Sequence, residues 1–449
     1  MLSSTAHHAD VIIVGAGIAG LSAAHQLTGA GVTVRVLEAA PEVGGRMATE
    51  ELDGFRLDRI GQLLNTSYPE LRRTGGLGDV ALRPFSPGVL VHSGGRLQRT
   101  GEVVRRTGEP GGARWGSPHA LRGVGGAFTV ARALASAPRP LDQARLGASL
   151  ARLAGTSVDR LLARPERATA GSLCARGMPA RTVHGFLRPL LSTLLCDPAL
   201  ITSSRCADLA LRGFARGLMC VPEGGAAALP RQLAAALPPG TVHTGIRVSD
   251  ASISRVRTRE YGELRCRALL LATGARAAAE LLPGLRVPPF HPVTVLHHTA
   301  PRAPLADPAL VLDADRGGPV SHTAVMSEVD PSRAPAGRVL ISSTVLGTPP
   351  PYVDRRVRAH LATLYGTPTD DWELLSVHHD PEAVPAMPPP HDLRRPVRLL
   401  SGLYVCGDHR DTSTVQGALF SGRRAAEAIL RDFGVQSSRE EASAFSAAA

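Results

Sequence analysis

The stretch that decides the fold class lies near the N-terminus, where residues 9–46 read ADVIIVGAGIAGLSAAHQLTGAGVTVRVLEAAPEVGGR. Residues 11–14 are a short apolar run, which is typical of a buried parallel strand, and a glycine-rich turn follows them. Residues 18–27 predict a helix, and residues 32–37 predict a second apolar strand. This order of strand, turn, helix and strand predicts a Rossmann-like βαβ unit that binds a dinucleotide.

The turn carries the pattern G-x-G-x-x-G, and each glycine in it has a separate physical role. Gly15 permits the tight turn, Gly17 lets a pyrophosphate approach the backbone, and Gly20 lets the helix lie close to the strand. The first amides of the helix favour a phosphate, because the helix dipole is positive at that end. Glu38 follows about 20 residues later, and its carboxylate suits ribose hydroxyls but repels the 2′-phosphate of NADP. The predicted contacts of this unit are Gly15, Gly17, Ile18, Ala19, Gly20, Glu38 and Ala39.

Two further motifs extend the pattern. The doublet Gly44–Gly45 and then Arg46 come shortly after the acid at the end of the second strand. Near the C-terminus, residues 403–430 read LYVCGDHRDTSTVQGALFSGRRAAEAIL, a strand, a turn with Asp408 and a helix. Together with GFRLDRIGQ at residues 54–62, these segments resemble the FAD-binding signatures of the amine oxidase, protoporphyrinogen oxidase and phytoene desaturase superfamily.

The resemblance implies a non-covalent FAD that is held from both ends of the chain. Arg46 and its glycines are expected along the pyrophosphate and ribityl chain, Asp408 at the ribityl hydroxyls, and Val248 at the adenine. The first turn of the last helix is expected to face the flavin N1/O2 edge, where negative charge accumulates on reduction. The residues that the resemblance assigns to the cofactor are Gly44, Gly45, Arg46, Gly61, Gln62, Val248, Thr273, Gly274, Gly407, Asp408, Gln416, Gly417 and Ala418.

The predicted fold class is α/β, with an FAD-binding domain of the Rossmann-like two-dinucleotide-fold type and an α+β substrate domain made of a mixed sheet and a helical lobe. The expected order along the chain is FAD-binding domain 1–85, helical substrate part 86–205, FAD-binding domain 206–288, sheet substrate part 289–392, and FAD-binding domain 393–433. Residues 95–125, rich in Gly and Arg, are expected to form loops. Residues 434–449 are expected to be a disordered tail.

Composition disfavours several other classes of protein. The 449 residues carry a formal charge of +11, and all 50 basic residues are arginine. Because only 4% of the residues are aromatic and the charge is thinly spread, a nucleic-acid groove is disfavoured, whereas an anionic membrane surface stays open as a partner. The six cysteines form no C-x-x-C pair and no zinc-type Cys/His spacing, so we expect no metal. Without a signal-peptide pattern, we expect a cytoplasmic protein with at most peripheral membrane contact. The oligomeric state stays open.

Candidate catalytic residues are few, because hydride transfer to flavin N5 needs positioning more than a strong base. His297 and His298 are the predicted proton acceptors, with His322 as a third candidate. Neighbours on a strand face opposite sides, so at most one of the first two faces the flavin. His409 is a possible point of covalent flavin attachment, although an ordinary loop histidine is the preferred interpretation.

Two departures from the family pattern bear on the reaction. Many amine oxidases of the superfamily place a lysine near flavin N5, and this chain contains no lysine. Many also surround the substrate nitrogen with two aromatic rings, and one of those positions is Thr414 here. The leading hypothesis is therefore an FAD-dependent oxidase or desaturase that removes hydride from a hydrophobic or conjugated carbon skeleton in a biosynthetic pathway, with oxygen or a quinone as acceptor. The alternatives are an atypical flavin amine oxidase and a non-redox FAD-dependent isomerase.

Overall fold

The computed structural model of the protein describes residues 8–100 and 140–435. Most of the predicted loop segment, from residue 101 to residue 125, lies outside the described residues. So does the tail from residue 436 onward. Within the part that is described, every helix is too short or too polar to cross a membrane.

The described chain contains runs of consecutive strands and a run of consecutive helices. The strands are β1 His8–Val14, β2 Val34–Leu37, β3 Thr49–Leu52, β4 Phe55–Asp58, β5 Leu64–Asn65, β6 Leu82–Pro84, β7 Val89–Ser93, β8 Arg96–Thr100, β9 Met219–Pro222, β10 Val242–His243, β11 Val248–Ser252, β12 Arg255–Thr258, β13 Gly262–Leu271, β14 Phe290–Ala300, β15 Val311–Asp313, β16 Val320–Val325, β17 Val339–Leu346, β18 Glu373–Pro385, β19 Arg398–Leu400 and β20 Leu403–Val405. The helices are α1 Ile18–Gly29, α2 Pro69–Arg73, α3 Pro140–Gly155, α4 Val158–Leu162, α5 Thr169–Ala175, α6 Ala180–Thr182, α7 Arg188–Leu195, α8 Ser204–Arg216, α9 Ala228–Ala235, α10 Ala275–Leu281, α11 Met326–Val329, α12 Val353–Tyr365 and α13 Val415–Asp432.

Three separate stretches of the chain build the first sheet. Its strand order is β10-β2-β1-β13-β12-β11, β20 pairs in parallel with the end of β13, and β19 pairs with β20. The central strand β1 is parallel to both of its neighbours. Along it, Val11 and Ile13 enter one apolar core and Ile12 and Val14 enter the other, because successive side chains point to opposite faces. The sheet is therefore covered on both sides, as the apolar run predicts.

The first and last helices pack together on one face of this sheet. A Cβ on Gly422 of α13 would lie 2.2 Å from the carbonyl oxygen of Ala19 in α1, so the two backbones meet at a distance that only glycine permits. The hydroxyl of Ser22 donates to the carbonyl of Leu419 at 3.3 Å. This contact brings the N-terminal and C-terminal motifs to the same side of the sheet.

A second sheet of seven strands has the order β18-β14-β17-β16-β15-β7-β8. The prediction that residues 96–100 form a loop is wrong, since they form β8, which pairs antiparallel with β7. The connecting residues Gly94 and Gly95 both have positive φ, as a tight hairpin turn requires. The strand depends on that partner, so its short and mostly polar sequence does not predict it.

Helices α3 to α8 form a lobe around one apolar core. Helix α8 packs against α3, α4, α5 and α7 of this lobe. The predicted boundary at residue 206 therefore falls inside α8, and the segment predicted to be mainly helical begins with the strands β7 and β8.

A buried arginine ties distant segments together. Arg333, which is 2% exposed, donates to Asp58 at 2.5 Å and to Asp330 at 3.1 Å. Its remaining Nη2 donates to the carbonyl of Pro222 at 3.0 Å. The other carboxylate oxygen of Asp58 accepts from the backbone amide of Ala226 at 2.8 Å. Because every charge has its partners, removal of any one of them leaves another charge buried and uncompensated.

Asp58→Ala is expected to destabilise the protein by about 3–5 kcal/mol, because Arg333 then keeps only one of its two carboxylates. Urea unfolding followed by circular dichroism measures the change. The control is Glu42→Ala, which breaks the exposed pair of Glu42 with Arg231 and should cost about 1 kcal/mol or less. Equal losses in the two variants would contradict the role given to the buried network.

Candidate active site

The glycine turn after β1 has the geometry that its sequence pattern predicts. Gly15 has a φ of +105°, and a Cβ there would lie 2.9 Å from the carbonyl oxygen of Ala272. A Cβ on Gly20 would lie 2.2 Å from the carbonyl oxygen of Gly15, so a larger residue would push α1 away from the turn. A Cβ on Gly17 meets no protein atom within 4 Å. The backbone at Gly17 therefore faces open space that a phosphate can enter.

The doublet Gly44–Gly45 lies directly beside this turn. Gly44 pairs with Gly17 in an isolated parallel bridge, and its N–H donates to the carbonyl of Ala16 at 2.9 Å. Gly44 and Gly45 have φ values of +119° and +58°, which glycine adopts without strain. The two turns thus form one continuous wall of glycine backbone.

Arg46 and Asp408 join the N-terminal and C-terminal motifs. Nη2 of Arg46 donates to Oδ1 of Asp408 at 2.6 Å, and Nη1 donates to the carbonyl of Ala383 at 2.7 Å. Burial acts to lower the pKa of Arg46, but the Asp408 carboxylate outweighs it and the pKa is raised. Arg46 therefore stays charged, and its position is fixed by the opposite end of the chain.

Glu38 stands at the end of β2 and is oriented by backbone amides. Its Oε2 accepts from the N–H of Ala16 at 2.7 Å, and its Oε1 accepts from the N–H of Ala40 at 2.9 Å. Each carboxylate oxygen has a further lone pair, so the group can still accept hydrogen bonds from ribose hydroxyls.

The start of α13 forms the C-terminal side of the site. The hydroxyl of Thr414 caps this helix by accepting from the N–H of Gly417 at 3.1 Å. A Cβ on Gly417 would lie 2.0 Å from the carbonyl oxygen of Thr412, so glycine is needed for the turn to close. The positive end of the helix dipole is thereby held at the site, where it favours negative charge.

These elements enclose a cavity of about 600 Å³, called the dinucleotide cavity below. The predicted cofactor residues that line it are Gly15, Gly17, Ile18, Ala19, Glu38, Ala39, Gly44, Gly45, Arg46, Gln62, Val248, Thr273, Gly274, Gly407, Asp408 and Ala418. Gly61 and Gln416 line the neighbouring cavity instead, and Gly20 and Gly417 serve the packing of the two turns. Sequence reasoning missed Phe290, Asp380 and Glu382, which line the dinucleotide cavity from β14 and β18 without any local motif.

The neighbouring cavity, called the second cavity below, has a volume of about 560 Å³. It shares Gln62, Thr414 and Val415 with the dinucleotide cavity, so the two spaces meet at these residues. The Oε1 atom of Gln62 is buried there without a hydrogen-bond partner in the described residues. A buried acceptor without a donor fits a ligand that supplies an N–H or O–H at the junction.

Of the acidic and histidine side chains that line the second cavity, three are buried: His322, Asp411 and Glu70. Burial lowers the pKa of His322 to about 4, so its imidazole is neutral at pH 7. Burial raises the pKa of Asp411 to about 6. Glu70 is 1% exposed, and its two oxygens accept from Arg423 at 2.9 and 3.1 Å. The cavity therefore holds a neutral imidazole, an ion-paired carboxylate and a carboxyl group that titrates near neutral pH.

The predicted catalytic role of His297 and His298 does not fit the structure. The ring nitrogens of His297 lie 2.8 Å from the Ser342 hydroxyl and 2.9 Å from the carbonyl oxygen of Asp58. His298 faces the other side of β14, and its Nε2 lies 2.9 Å from Asp354. Neither imidazole is among the residues that line the two cavities. Strand β14 lines the second cavity with Val293, which precedes His297 by four residues and lies on the same face of the strand.

The other two histidines that the sequence singled out differ in position. His322 reaches the second cavity from β16. His409 is buried, and burial lowers its pKa to about 4. It is absent from the described lining of both cavities, so the structure favours the interpretation of a loop histidine.

The dinucleotide cavity and the Rossmann-like sheet define a dinucleotide-binding protein, and the residues present fit FAD. The open space beside the backbone of Gly17 can accept the pyrophosphate of an extended ligand. An N–H on the polar ring edge of the same ligand could donate to the side-chain carbonyl of Gln62, which has no partner in the described residues. When bound, FAD would be held by the glycine turns, Glu38 and the Arg46–Asp408 pair. It would supply a two-electron acceptor at the junction with the second cavity.

Comparisons with known proteins agree with this class. The family described as flavin containing amine oxidoreductase matches residues 18–430. The putrescine oxidase of Kocuria rosea is 49% identical over 69 residues, which are 15% of this chain and 14% of that protein. The L-amino-acid oxidase of Crotalus adamanteus is 58% identical over 48 residues, 11% of this chain and 9% of that protein. The aligned segments thus span about a tenth to a seventh of these relatives.

Solved structures share the fold over nearly the whole chain. An oxidoreductase from Methanosarcina mazei has a TM-score of 0.69 and 17% identity, with 93% of this chain and 99% of that chain covered. The cyclohexylamine oxidase of Brevibacterium oxydans has a TM-score of 0.67 and 19% identity, with 95% and 99% covered. UDP-galactopyranose mutase has a TM-score of 0.66 and 14% identity, with 94% and 96% covered. At these identities the likeness establishes the fold alone.

The chain belongs to the flavin containing amine oxidoreductase family. It is an FAD-dependent oxidoreductase by that membership. The resemblance, the α/β fold class and the FAD cofactor predicted from the sequence are thereby confirmed.

Gly17→Ala is expected to weaken FAD binding by about 10- to 100-fold, because the added methyl occupies the space of the pyrophosphate at a cost of about 1–3 kcal/mol. The fold should be unaffected, since the methyl meets no protein atom. Titration of the apoprotein with FAD, followed by flavin fluorescence, measures the affinity. The matched control is Gly29→Ala, in which the methyl also meets no protein atom but lies at the far end of α1. If both variants bind FAD like the original chain, the pyrophosphate lies elsewhere.

Proposed function

We propose that the protein binds FAD non-covalently and oxidises a hydrophobic carbon skeleton by removing hydride from a C–H bond. The observation that carries this proposal is the apolar wall of the second cavity, which meets the dinucleotide cavity at Gln62. The wall includes Leu63, Leu194, Leu209, Val293, Val384 and Met387. Such a wall binds apolar surface and excludes water from the reacting carbon.

Two features count against a typical amine oxidase. The chain has no lysine, so a lysine near flavin N5 is ruled out. At the cage position, the Thr414 hydroxyl caps α13, and an aromatic ring there would forfeit that cap. Both features support a carbon skeleton over an amine nitrogen as the site of oxidation.

Asp411 is the group best suited to take the proton that leaves with hydride removal. A general base is most effective when its pKa lies near the working pH. Burial raises the pKa of Asp411 to about 6, whereas His322, with a pKa of about 4, is a weak acceptor. Both line the second cavity, and the Asp411 carboxylate is oriented by the N–H of Thr412 at 2.8 Å.

Amine oxidation is the second candidate, and one observation favours it. The same Asp411 carboxylate offers a charge partner to an ammonium group inside the second cavity. Relatives named as putrescine oxidase and cyclohexylamine oxidase make this alternative concrete. We propose oxygen or a quinone as the electron acceptor of the redox reaction. A non-redox isomerase would consume neither of them, and this difference distinguishes it from an oxidase or desaturase.

The test is anaerobic bleaching of the flavin by three panels of compounds: amines, porphyrinogens, and polyenes or polycyclic precursors. We expect bleaching by an apolar panel and none by amines. Bleaching by amines alone would overturn the proposal in favour of the second candidate. Conversion of a polyene without bleaching, and without uptake of an acceptor, would establish the isomerase.

A pair of variants ties the result to the second cavity. Leu209→Asn should raise the KM of the bleaching compound by about 10- to 100-fold, because an apolar contact worth about 1.5–3 kcal/mol is lost. Leu400→Asn makes the same change at a leucine that is 56% exposed and should leave KM unchanged. FAD content serves as the check that both variants keep the cofactor.

The rate of flavin reduction is expected to fall as the pH decreases through about 6, because Asp411 is then protonated and can no longer accept a proton. Asp411→Asn should lower the rate above pH 6 and abolish this inflection. Stopped-flow absorbance across pH 5–8 measures both effects. Asp159→Asn is the matched control, since Asp159 lines the same cavity with an 85% exposed side chain. An inflection that persists in Asp411→Asn would assign it to another group.

A further inference from the structure

Far from the motifs of the FAD site, two strands of the second sheet bring a histidine and two aspartates together. β7 and β15 are parallel neighbours, and His92 is the register partner of Asp313. Asp315 follows two residues later and turns back towards the β7–β8 hairpin, where its Oδ2 accepts from the N–H of Gly94 at 2.8 Å. One ligand atom from each of these three side chains lies within 4.8 Å of the others. The group is called the His–Asp cluster below.

His92 is the observation that points to a ligand. Its residue is 4% exposed, and neither ring nitrogen makes a hydrogen bond within the described residues. Its Nδ1 points into the cluster, 3.4 Å from Oδ2 of Asp315 and 4.0 Å from Oδ1 of Asp313. A buried imidazole normally has a partner for its polar atoms, so this one lacks the group that would satisfy it.

The spacing suits a metal ion. Zinc binds imidazole nitrogen and carboxylate oxygen at about 2.0–2.2 Å, which places tetrahedral ligand atoms about 3.4 Å apart. The nitrogen–oxygen distances in the cluster match this value or exceed it by about half an ångström. The three side chains therefore need to move inward only slightly for all of them to bind one ion.

The carboxylates are already held in place by neighbouring groups. Oδ2 of Asp313 accepts from the N–H of Gly317 at 2.9 Å and lies 3.2 Å from Nε2 of His360. Oδ1 of Asp313 accepts from the N–H of Asp315 at 2.9 Å. Supporting contacts of this kind orient metal ligands before the ion arrives. The Asp315 side chain is 40% exposed, so an ion can enter from solvent and water can complete its coordination.

We propose that His92, Asp313 and Asp315 bind one divalent transition-metal ion, with zinc as the ion that best suits this nitrogen and oxygen set. The ion fastens the β7–β8 hairpin to the segment after β15. The role is structural, because His92 and Asp315 are absent from the described lining of both the dinucleotide cavity and the second cavity. The proposal is independent of the proposed function.

Calorimetric titration of the FAD-loaded, tag-free chain with Zn²⁺ tests the proposal. We expect a saturable zinc site that is abolished in His92→Ala. In Asp315→Asn, zinc affinity should fall by more than the roughly 10- to 100-fold that loss of a supporting residue costs. His360→Ala, which removes such a supporting residue, should fall within that range. Mg²⁺ should bind far more weakly, because it prefers oxygen ligands and retains its water.

The matched control is Asp354→Asn, which removes the carboxylate beside another buried histidine, His298. Neither residue belongs to the three-ligand cluster found among the described residues. It should bind Zn²⁺ like the original chain. Asp315→Asn is the variant that keeps the fold, since an amide oxygen can still accept from the N–H of Gly94. An anomalous-scattering peak between His92 and Asp315 in zinc-soaked crystals would locate the ion. Zinc affinity unchanged in both His92→Ala and Asp315→Asn, or no saturable binding at all, would overturn the proposal.

Discussion

The ion pair between Arg46 and Asp408 is the interaction on which the site depends. The two residues are 362 positions apart in the sequence and 2.6 Å apart in the fold. α1 and α13, which lie against each other at a separation set by Gly422, belong to the same two motifs as this pair. One charged contact therefore couples the packing of the first and last helices to the shape of the dinucleotide cavity. Because the pair is partly shielded from water, each partner needs the other.

The junction of the two cavities explains how one fold can serve different substrates. The dinucleotide cavity is built from glycine turns and helix ends, whose geometry leaves little freedom for change. The second cavity is built from side chains of the helical lobe and the second sheet, which can change without disturbing the turns. Thr414 stands between them and serves as a helix cap instead of carrying a ring. Under the proposed function, substrate choice in this chain is a property of the second cavity.

Burial controls the acid–base chemistry of the second cavity. It holds His322 neutral and raises the pKa of Asp411, so the group with the stronger proton affinity is the carboxylate and not the imidazole. Burial also gives the missing partner of His92 its significance. An exposed imidazole could form hydrogen bonds with water, whereas a buried one needs a partner within the protein or a bound ligand. In both places the protein environment, more than the residue type, sets what the side chain can do.

The sequence alone determined the βαβ unit, the FAD cofactor and the pairing of the two terminal motifs. The βαβ unit follows from steric and electrostatic demands on adjacent residues: the turn needs Gly15 where φ is +105°, and Glu38 ends the strand beside it. The FAD cofactor and the pairing of the two motifs were implied by the resemblance of their residues to FAD-binding signatures of a known superfamily. Only the tertiary structure decided which polar side chains reach a cavity. His297 was a reasonable candidate until Asp58 and Ser342 were found at its two nitrogens, and Asp380 and Glu382 carry no local signal of their place beside the cofactor. The His–Asp cluster joins residues from β7 and from the end of β15, far apart in the chain. Local backbone geometry is encoded in contiguous residues, whereas the surroundings of a side chain are set by segments that meet only when the chain folds.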